Sequence, residues 1–241
     1  MKTKSILVAL FAFSIFVTSC KKNDDVKPSN DLTTVNKNIT GYTQLNVSDP
    51  FTVYVTFSNT EEKIQVQANS NLQQYITVEK QNNQLVISLD DNVTINGSSV
   101  LNVYITTNQL EGFYAAGAST IQLQNDLNTF NVTINLTGAS TFSGALFINE
   151  LNTNLTGASN MNISGTSASV DLEATGASNM RDYGFATSHF TCDLDGACSA
   201  YLTIQQTLNV KARGASNVYY KGNGTVSSQV LTGGSTIQKM N

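Results

Sequence analysis

The side chains able to do chemistry are few in this 241-residue chain, and several stand in one short stretch. His189 is the single histidine; with no recurring partner it reads as a surface or turn residue and not as a general base. Asp193 and Asp195 are two residues apart, so on a strand both point to one face, and Asp182 is a third carboxylate within reach of that region. Such a group could bind calcium or serve polysaccharide cleavage. Calcium takes about six to eight oxygen ligands, and β-helical calcium sites draw them from recurring Asp columns. No such column exists here, so these carboxylates are expected to be solvated, with no metal and no cofactor. An enzyme would also need carboxylates clustered with a basic residue on one face. Arg181, Lys211, Arg213, Lys221 and Lys239 are spread along the sequence, so no catalytic residues are assigned. Tyr201, Tyr219 and Tyr220 could form a platform for a sugar.

The N-terminus carries a different chemistry. Lys2 and Lys4 precede an apolar run from Ile6 to Val17, which has the length of a secretory signal and is too short to span a bilayer. The run ends in Val17-Thr18-Ser19-Cys20, which resembles a bacterial lipobox. Residues 1–19 are therefore expected to be a lipoprotein signal peptide and Cys20 the lipidated residue, holding the protein on a membrane through acyl chains. Residues 20–33 are polar, charged and contain Pro28, and read as a flexible tether. Lys21, not Asp, follows the cysteine, which favours the outer membrane, on its periplasmic or surface face. Removal of Lys2 and Lys4 leaves 11 basic against 17 acidic residues, a net charge of about −6. With charged residues at only 12% of the chain and the balance acidic, a basic nucleic-acid binder is excluded.

The elements that position these residues recur along the chain. One motif repeats at Gly117-Ala118-Ser119-Thr120, Gly138-Ala139-Ser140-Thr141, Gly157-Ala158-Ser159-Asn160 and Gly176-Ala177-Ser178-Asn179. It continues at Gly196-Ala197-Cys198-Ser199, Gly214-Ala215-Ser216-Asn217 and Gly233-Gly234-Ser235-Thr236, with successive glycines 21, 19, 19, 20, 18 and 19 residues apart. A fixed period of about 20 marks a solenoid in which each unit stacks on its neighbours. Four residues after each glycine stand Ile121, Phe142, Met161, Met180, Ala200, Val218 and Ile237; two before stand Ala115, Leu136, Leu155, Ala174, Leu194, Ala212 and Leu231. These columns read as interior ladders. Val132-Thr133-Ile134-Asn135-Leu136 alternates as a strand does, so the units are expected to be short strands joined at glycine corners. The alanine after each glycine is expected to pack inward, where a larger side chain would collide with the next turn. On that basis Ala158→Leu would overpack the interior and cost about 1–3 kcal/mol.

The same columns bear on the remaining candidates. Cys198 occupies the serine column, and Cys192 the column of Phe113, Ile134, Leu172 and Val210. Extended, the segment between them would part their Cα atoms by roughly 20 Å, against less than about 7 Å for a disulfide. A corner at Gly196 could close that gap, but two unpaired, packed thiols are expected. The Ser column and the polar column after it (Thr120, Thr141, Asn160, Asn179, Ser199, Asn217, Thr236) could line a glycan flank. The favoured reading is that they bond to each other and to corner backbone.

Residues 34–106 lack the repeat but alternate well, as in Phe51-Thr52-Val53-Tyr54-Val55, and are expected to form antiparallel strands packed on or continuous with the solenoid of residues 107–241, as its N-terminal cap. The fold class is thus all-β, a parallel β-helix-like solenoid of about seven turns with an N-terminal antiparallel strand region. Phe51, Val53 and Val55, then Ile64-Gln65-Val66, Asn71-Leu72 and Leu85-Val86-Ile87, then serial Gly-Ala-Ser units closing on Tyr220-Lys221-Gly222, together resemble the putative auto-transporter adhesin, head GIN domain family over residues 43–237. The resemblance implies a β-helical envelope protein without assigned catalytic residues. The expected function is a non-catalytic cell-envelope lipoprotein with an adhesin or surface-interaction role and a glycan or protein ligand. The competing reading is a β-helical polysaccharide lyase or hydrolase, which rests on fold analogy alone.

Overall fold

The computed structural model describes residues 24–241; the stretch expected to be a signal peptide, Cys20 and Lys21 lie outside the described residues. Strand pairs dominate, because alternating Val, Ile, Leu and Thr side chains suit a pleated, half-buried surface. Each turn of the coil has two straight stretches. One approaches the glycine corner and the other leaves it, and equivalent stretches of successive turns hydrogen-bond in parallel to make two sheets.

The approach sheet runs Gln84–Leu89, Gln44–Val47, Gly112–Ala115, Asn131–Leu136 and Glu150–Leu155. It continues through 169–174 and 189–194 to 207–212 and Thr225–Leu231. The exit sheet runs Leu101–Thr107, Thr52–Phe57, Thr120–Leu123, Thr141–Phe147 and 160–166. It then passes through Asn179–Arg181, 199–204 and Asn217–Lys221 to Thr236–Lys239. Between them one core extends from Tyr42 to Tyr220. The columns four after and two before each glycine face this core, as the interior-ladder reading requires; only in the last turn are their members, Ile237 and Leu231, partly buried.

The N-terminal region contains the expected antiparallel strands. Lys63–Asn69 lies antiparallel between Leu32–Lys37 and Leu101–Thr107, and Ile76–Gln81 pairs antiparallel with Gln84–Leu89. The solenoid, however, starts before residue 107. Gln44–Val47 and Thr52–Phe57 form a full turn, inserted in space between 84–107 and 112–123 although they precede both in sequence. Asp49, at φ 65°, makes its corner in place of glycine, and Phe51, buried, stands where later turns have serine.

The segment read as a tether differs too, from Asp24 onward. Asp24–Val26 pairs in parallel with Val93–Ile95. The Asn71 side chain accepts from the Ser29 backbone N–H at 2.9 Å and donates to the Lys27 carbonyl at 2.9 Å, while Asn69 donates to the Ser29 carbonyl at 2.7 Å. Polar composition predicts flexibility because it offers little apolar area to bury. Here amide side chains some forty residues distant in sequence supply the hydrogen bonds that hold the segment instead.

At the corners the burial of alanine and serine is the reverse of expectation. Ala118, Ala139, Ala158, Ala177, Ala197 and Ala215 are exposed, whereas Ser119, Ser140, Ser159, Ser178, Cys198 and Ser216 are buried. The two-residue side-chain period continues through the corner, so the positions two before, two after and four after the glycine share the inner face. What must be small is the glycine itself. The N–H after each glycine donates to the preceding turn's glycine carbonyl at 2.7 Å from Ala139 to Ala215, so successive corners stack backbone to backbone.

Candidate binding face

Buried hydroxyls must find partners, because an unpaired polar group in the interior costs about 1–3 kcal/mol. Four corner serines meet this requirement locally: Ser119 Oγ donates to the Ala116 carbonyl at 2.6 Å, Ser140 to Thr137 at 2.7 Å, Ser159 to Thr156 at 2.8 Å and Ser178 to Thr175 at 3.0 Å. The hydroxyls also accept from the turn before, since Ser159 N–H donates to Ser178 Oγ at 3.3 Å and Cys198 N–H to Ser216 Oγ at 3.2 Å. The serine column is therefore internal structure and is withdrawn from any ligand. The polar column beyond it faces outward and is laced to itself and to the corners. Asn160, Asn179 and Asn217 donate to the carbonyls of Ala158, Ala177 and Ala215, and Thr236 donates to Asn217 Oδ1 at 2.7 Å.

Cys192 and Cys198 are free and buried. Gly196 does turn the chain between them, but they stand in different columns. Cys192 lies between Leu172 and Val210, and Cys198 takes a serine's place with Sγ 3.4 Å from the Asp195 carbonyl. Burial, reinforced by Asp193, pushes the Cys192 thiol up to about 12, and burial also raises Cys198. A raised thiol keeps its proton in the native state, while the unfolded chain releases it near the ordinary 9.0. This contribution to stability is complete below that value and is lost as pH rises from it toward about 12. Iodoacetamide at about pH 8 is accordingly expected to label neither thiol in the folded chain and both in urea; mass spectrometry reads the outcome, and rapid labelling of either without denaturant would contradict the packing.

Asp193 and Asp195 do share the outward face of the approach sheet. Their neighbours in register are Lys211 and Arg213: Lys211 Nζ lies 2.8 Å from Asp193, and Arg213 bonds both carboxylates at 3.0 and 3.2 Å. Two of the five cations that looked dispersed in sequence are thereby brought to the carboxylates, as surface ion pairs worth little individually. Asp182 does not join them; it sits in a turn at φ 141° and accepts from the Gly184 N–H at 2.7 Å. Among the described residues no cluster of His, Cys, Asp and Glu is arranged to hold a metal. His189 is exposed on the same sheet, with Nδ1 2.7 Å from Thr207 Oγ1.

The aromatic candidates separate. Tyr220 turns inward and is buried, whereas Tyr201 and Tyr219 stand outward on the exit sheet, stacked at 4.8 Å with 16° between ring planes. Tyr183 joins them, edge-on to Tyr201 at 5.9 Å, and Lys221 Nζ sits 5.0 Å over its ring. Burial and the flanking phenols raise the Tyr183 hydroxyl pKa. Sequence reasoning missed Tyr183 because it lies in a turn, two residues past the column that contains Arg181 and Tyr201. A second stacked pair, Tyr54 and Tyr104, lies toward the N-terminal end of the same sheet at 5.1 Å. The rings meet each other face to face, so they offer edges and hydroxyls outward, not a flat platform. This sheet, whose outward column stays in register over successive turns, is the candidate binding face.

Crystal structures of similar fold are known. A putative adhesin from Bacteroides fragilis aligns with a TM-score of 0.82 at 21% identity, covering 89% of this chain and 100% of its own. A putative adhesin from Parabacteroides merdae gives 0.74 at 18%, covering 90% and 100%. A protein from Parabacteroides distasonis, called a putative lipid binding protein, gives 0.74 at 14% with the same coverage. At these identities the likeness is one of fold. Among curated proteins none matches the chain in sequence. Residues 41–224 match the family model described as putative auto-transporter adhesin, head GIN domain, and with a match over that span the chain belongs to this family.

Proposed function

We propose that the protein is a non-catalytic, lipid-anchored module of the cell envelope that contacts an external ligand with the exit sheet of its solenoid. The observation that carries this reading is the regular outward column of that sheet: Gln122, Ser143, Asn162 and Arg181 follow Tyr54 in register, one per turn. A column at the strand spacing of about 4.8 Å is suited to a repetitive partner laid along the stack. The corner hydrogen bonds described above keep the face rigid, so little conformational entropy is lost when it is covered. The family name, adhesin, accords with a location at the cell surface.

The anchor is assigned to Cys20, the outer membrane to Lys21 beside it, and the ligand is a glycan or a protein. Two measurements test the reading. Labelling with an alkyne fatty acid is expected to mark the wild-type chain and not Cys20→Ala, which should leave the membrane fraction; equal labelling of both rejects the anchor. Cells lacking the chain are expected to lose attachment to an array of immobilised glycans and matrix proteins; unchanged attachment across the array rejects the adhesive role.

A further inference from the structure

The two sheets differ in charge. No Asp or Glu lies on any stretch of the exit sheet, whereas the approach sheet displays Glu150, Asp171, Glu173, Asp193 and Asp195. Residues 196–241 contain no Asp or Glu, but carry Lys211, Arg213, Lys221 and Lys239. Lys211 and Arg213 are neutralised across the approach sheet by Asp193 and Asp195. On the exit sheet, no ion pair joins Arg181 or Lys221 to a carboxylate among the described residues, and Lys221 has the Tyr183 ring beneath it instead.

These cations bracket the tyrosines. Asn179 pairs with Ser199 and Met180 with Ala200, which sets Arg181 in the column of Tyr201; Tyr201 pairs with Tyr219, and Thr203 with Lys221. The result is a patch of guanidinium, two phenol hydroxyls at one strand spacing, and an ammonium. Because the ring faces of Tyr201 and Tyr219 are turned to each other, stacking against a neutral sugar has little surface to use. What faces outward is a set of hydrogen-bond donors, two of them charged, and such donors bind carboxylate or sulfate oxygens about twice as strongly as neutral acceptors.

We propose that Arg181, Tyr201, Tyr219 and Lys221 form a binding site for an acidic polysaccharide, a sugar strand bearing carboxylate or sulfate groups laid along the solenoid axis. A polymer with repeating anions matches donors that repeat from turn to turn. A lipid surface matches less well, since Leu32, Val35, Phe130, Phe147, Val226 and Val230, the exposed large aliphatic and phenylalanine side chains, all lie outside this patch. The inference rests on the adhesive reading above and names its ligand class.

Biolayer interferometry of the full chain in detergent, over immobilised oligogalacturonate and the neutral oligogalactoside of equal length, tests it. The acidic strand should bind and the neutral one should not, with binding weakened by added salt as screening requires. The pair Arg181→Gln and Lys221→Gln should weaken binding at least about tenfold, with circular dichroism confirming the fold. Lys211→Gln with Arg213→Gln removes the same charge from the opposite sheet and should change affinity less than about twofold. Equal binding of the two sugars, no binding of the acid, or equal loss in the two variant pairs each overturns the proposal. If the acid fails to bind while cells lacking the chain still lose attachment to the array, the ligand class falls and the adhesive role stands; if attachment is also unchanged, both fall.

Discussion

Gly157→Ala is expected to destabilise the protein by more than about 3 kcal/mol, enough to lower Tm by roughly 10 °C. Two costs combine. Gly157 sits at φ +80°, where a residue with a Cβ is disfavoured by about 1–2 kcal/mol. The added Cβ would also stand 2.5 Å from the Gly138 carbonyl oxygen. That oxygen is held by the Ala158 N–H at 2.7 Å, so it cannot retreat without opening the stack. Gly117→Ala separates the two costs. Its φ is +74°, but it stacks on Asp49, whose nearest atom is 3.3 Å from the new Cβ. The backbone cost of about 1–2 kcal/mol should dominate there, since Asp49 need yield only a few tenths of an ångström. Urea denaturation of both variants reads the difference; equal losses would mean that corner stacking contributes nothing beyond φ.

Ser178→Ala is expected to cost about 1–3 kcal/mol although it removes one oxygen atom. Ser178 Oγ accepts the Ser159 N–H at 3.3 Å and donates to the Thr175 carbonyl at 3.0 Å, so its loss leaves a buried N–H without a partner. Ala158→Leu, a much larger change in volume, should fall within about 0.5 kcal/mol of wild type, because Ala158 points to solvent. Thermal melts of the two variants rank them; a larger loss from Ala158→Leu would restore the inward alanine expected from size alone.

That inversion shows where reasoning from sequence stopped. Recurrent alanine suggests a tight interior, but parity was the better guide: Leu136, Ser140 and Phe142 stand an even number of residues apart on the inner face, and Ser199 with Tyr201, like Asn217 with Tyr219, share the outward one. Parity likewise parts Tyr219 from Tyr220, which sequence reasoning had grouped. The Asp49-Pro50-Phe51 corner was hidden for another reason. It shares the turn geometry of the later units but none of their residue types, because Asp49 also tolerates positive φ and its carboxylate accepts the Leu89 N–H at 2.9 Å.

From the sequence alone came the all-β class, the period, the corner positions, the apolar columns and the family, because glycine conformation and side-chain alternation are set within a few residues. Tertiary structure decided which flank of each corner is buried, that residues 44–57 form a turn out of chain order, and that Asn69 and Asn71 fasten the segment after Asp24. It also decided that Lys211 and Arg213 meet Asp193 and Asp195 while Arg181 and Lys221 form no ion pair among the described residues. These outcomes depend on which turn lies above which, and so on contacts between residues about twenty or more apart in the chain, where no local preference of the backbone selects the partner.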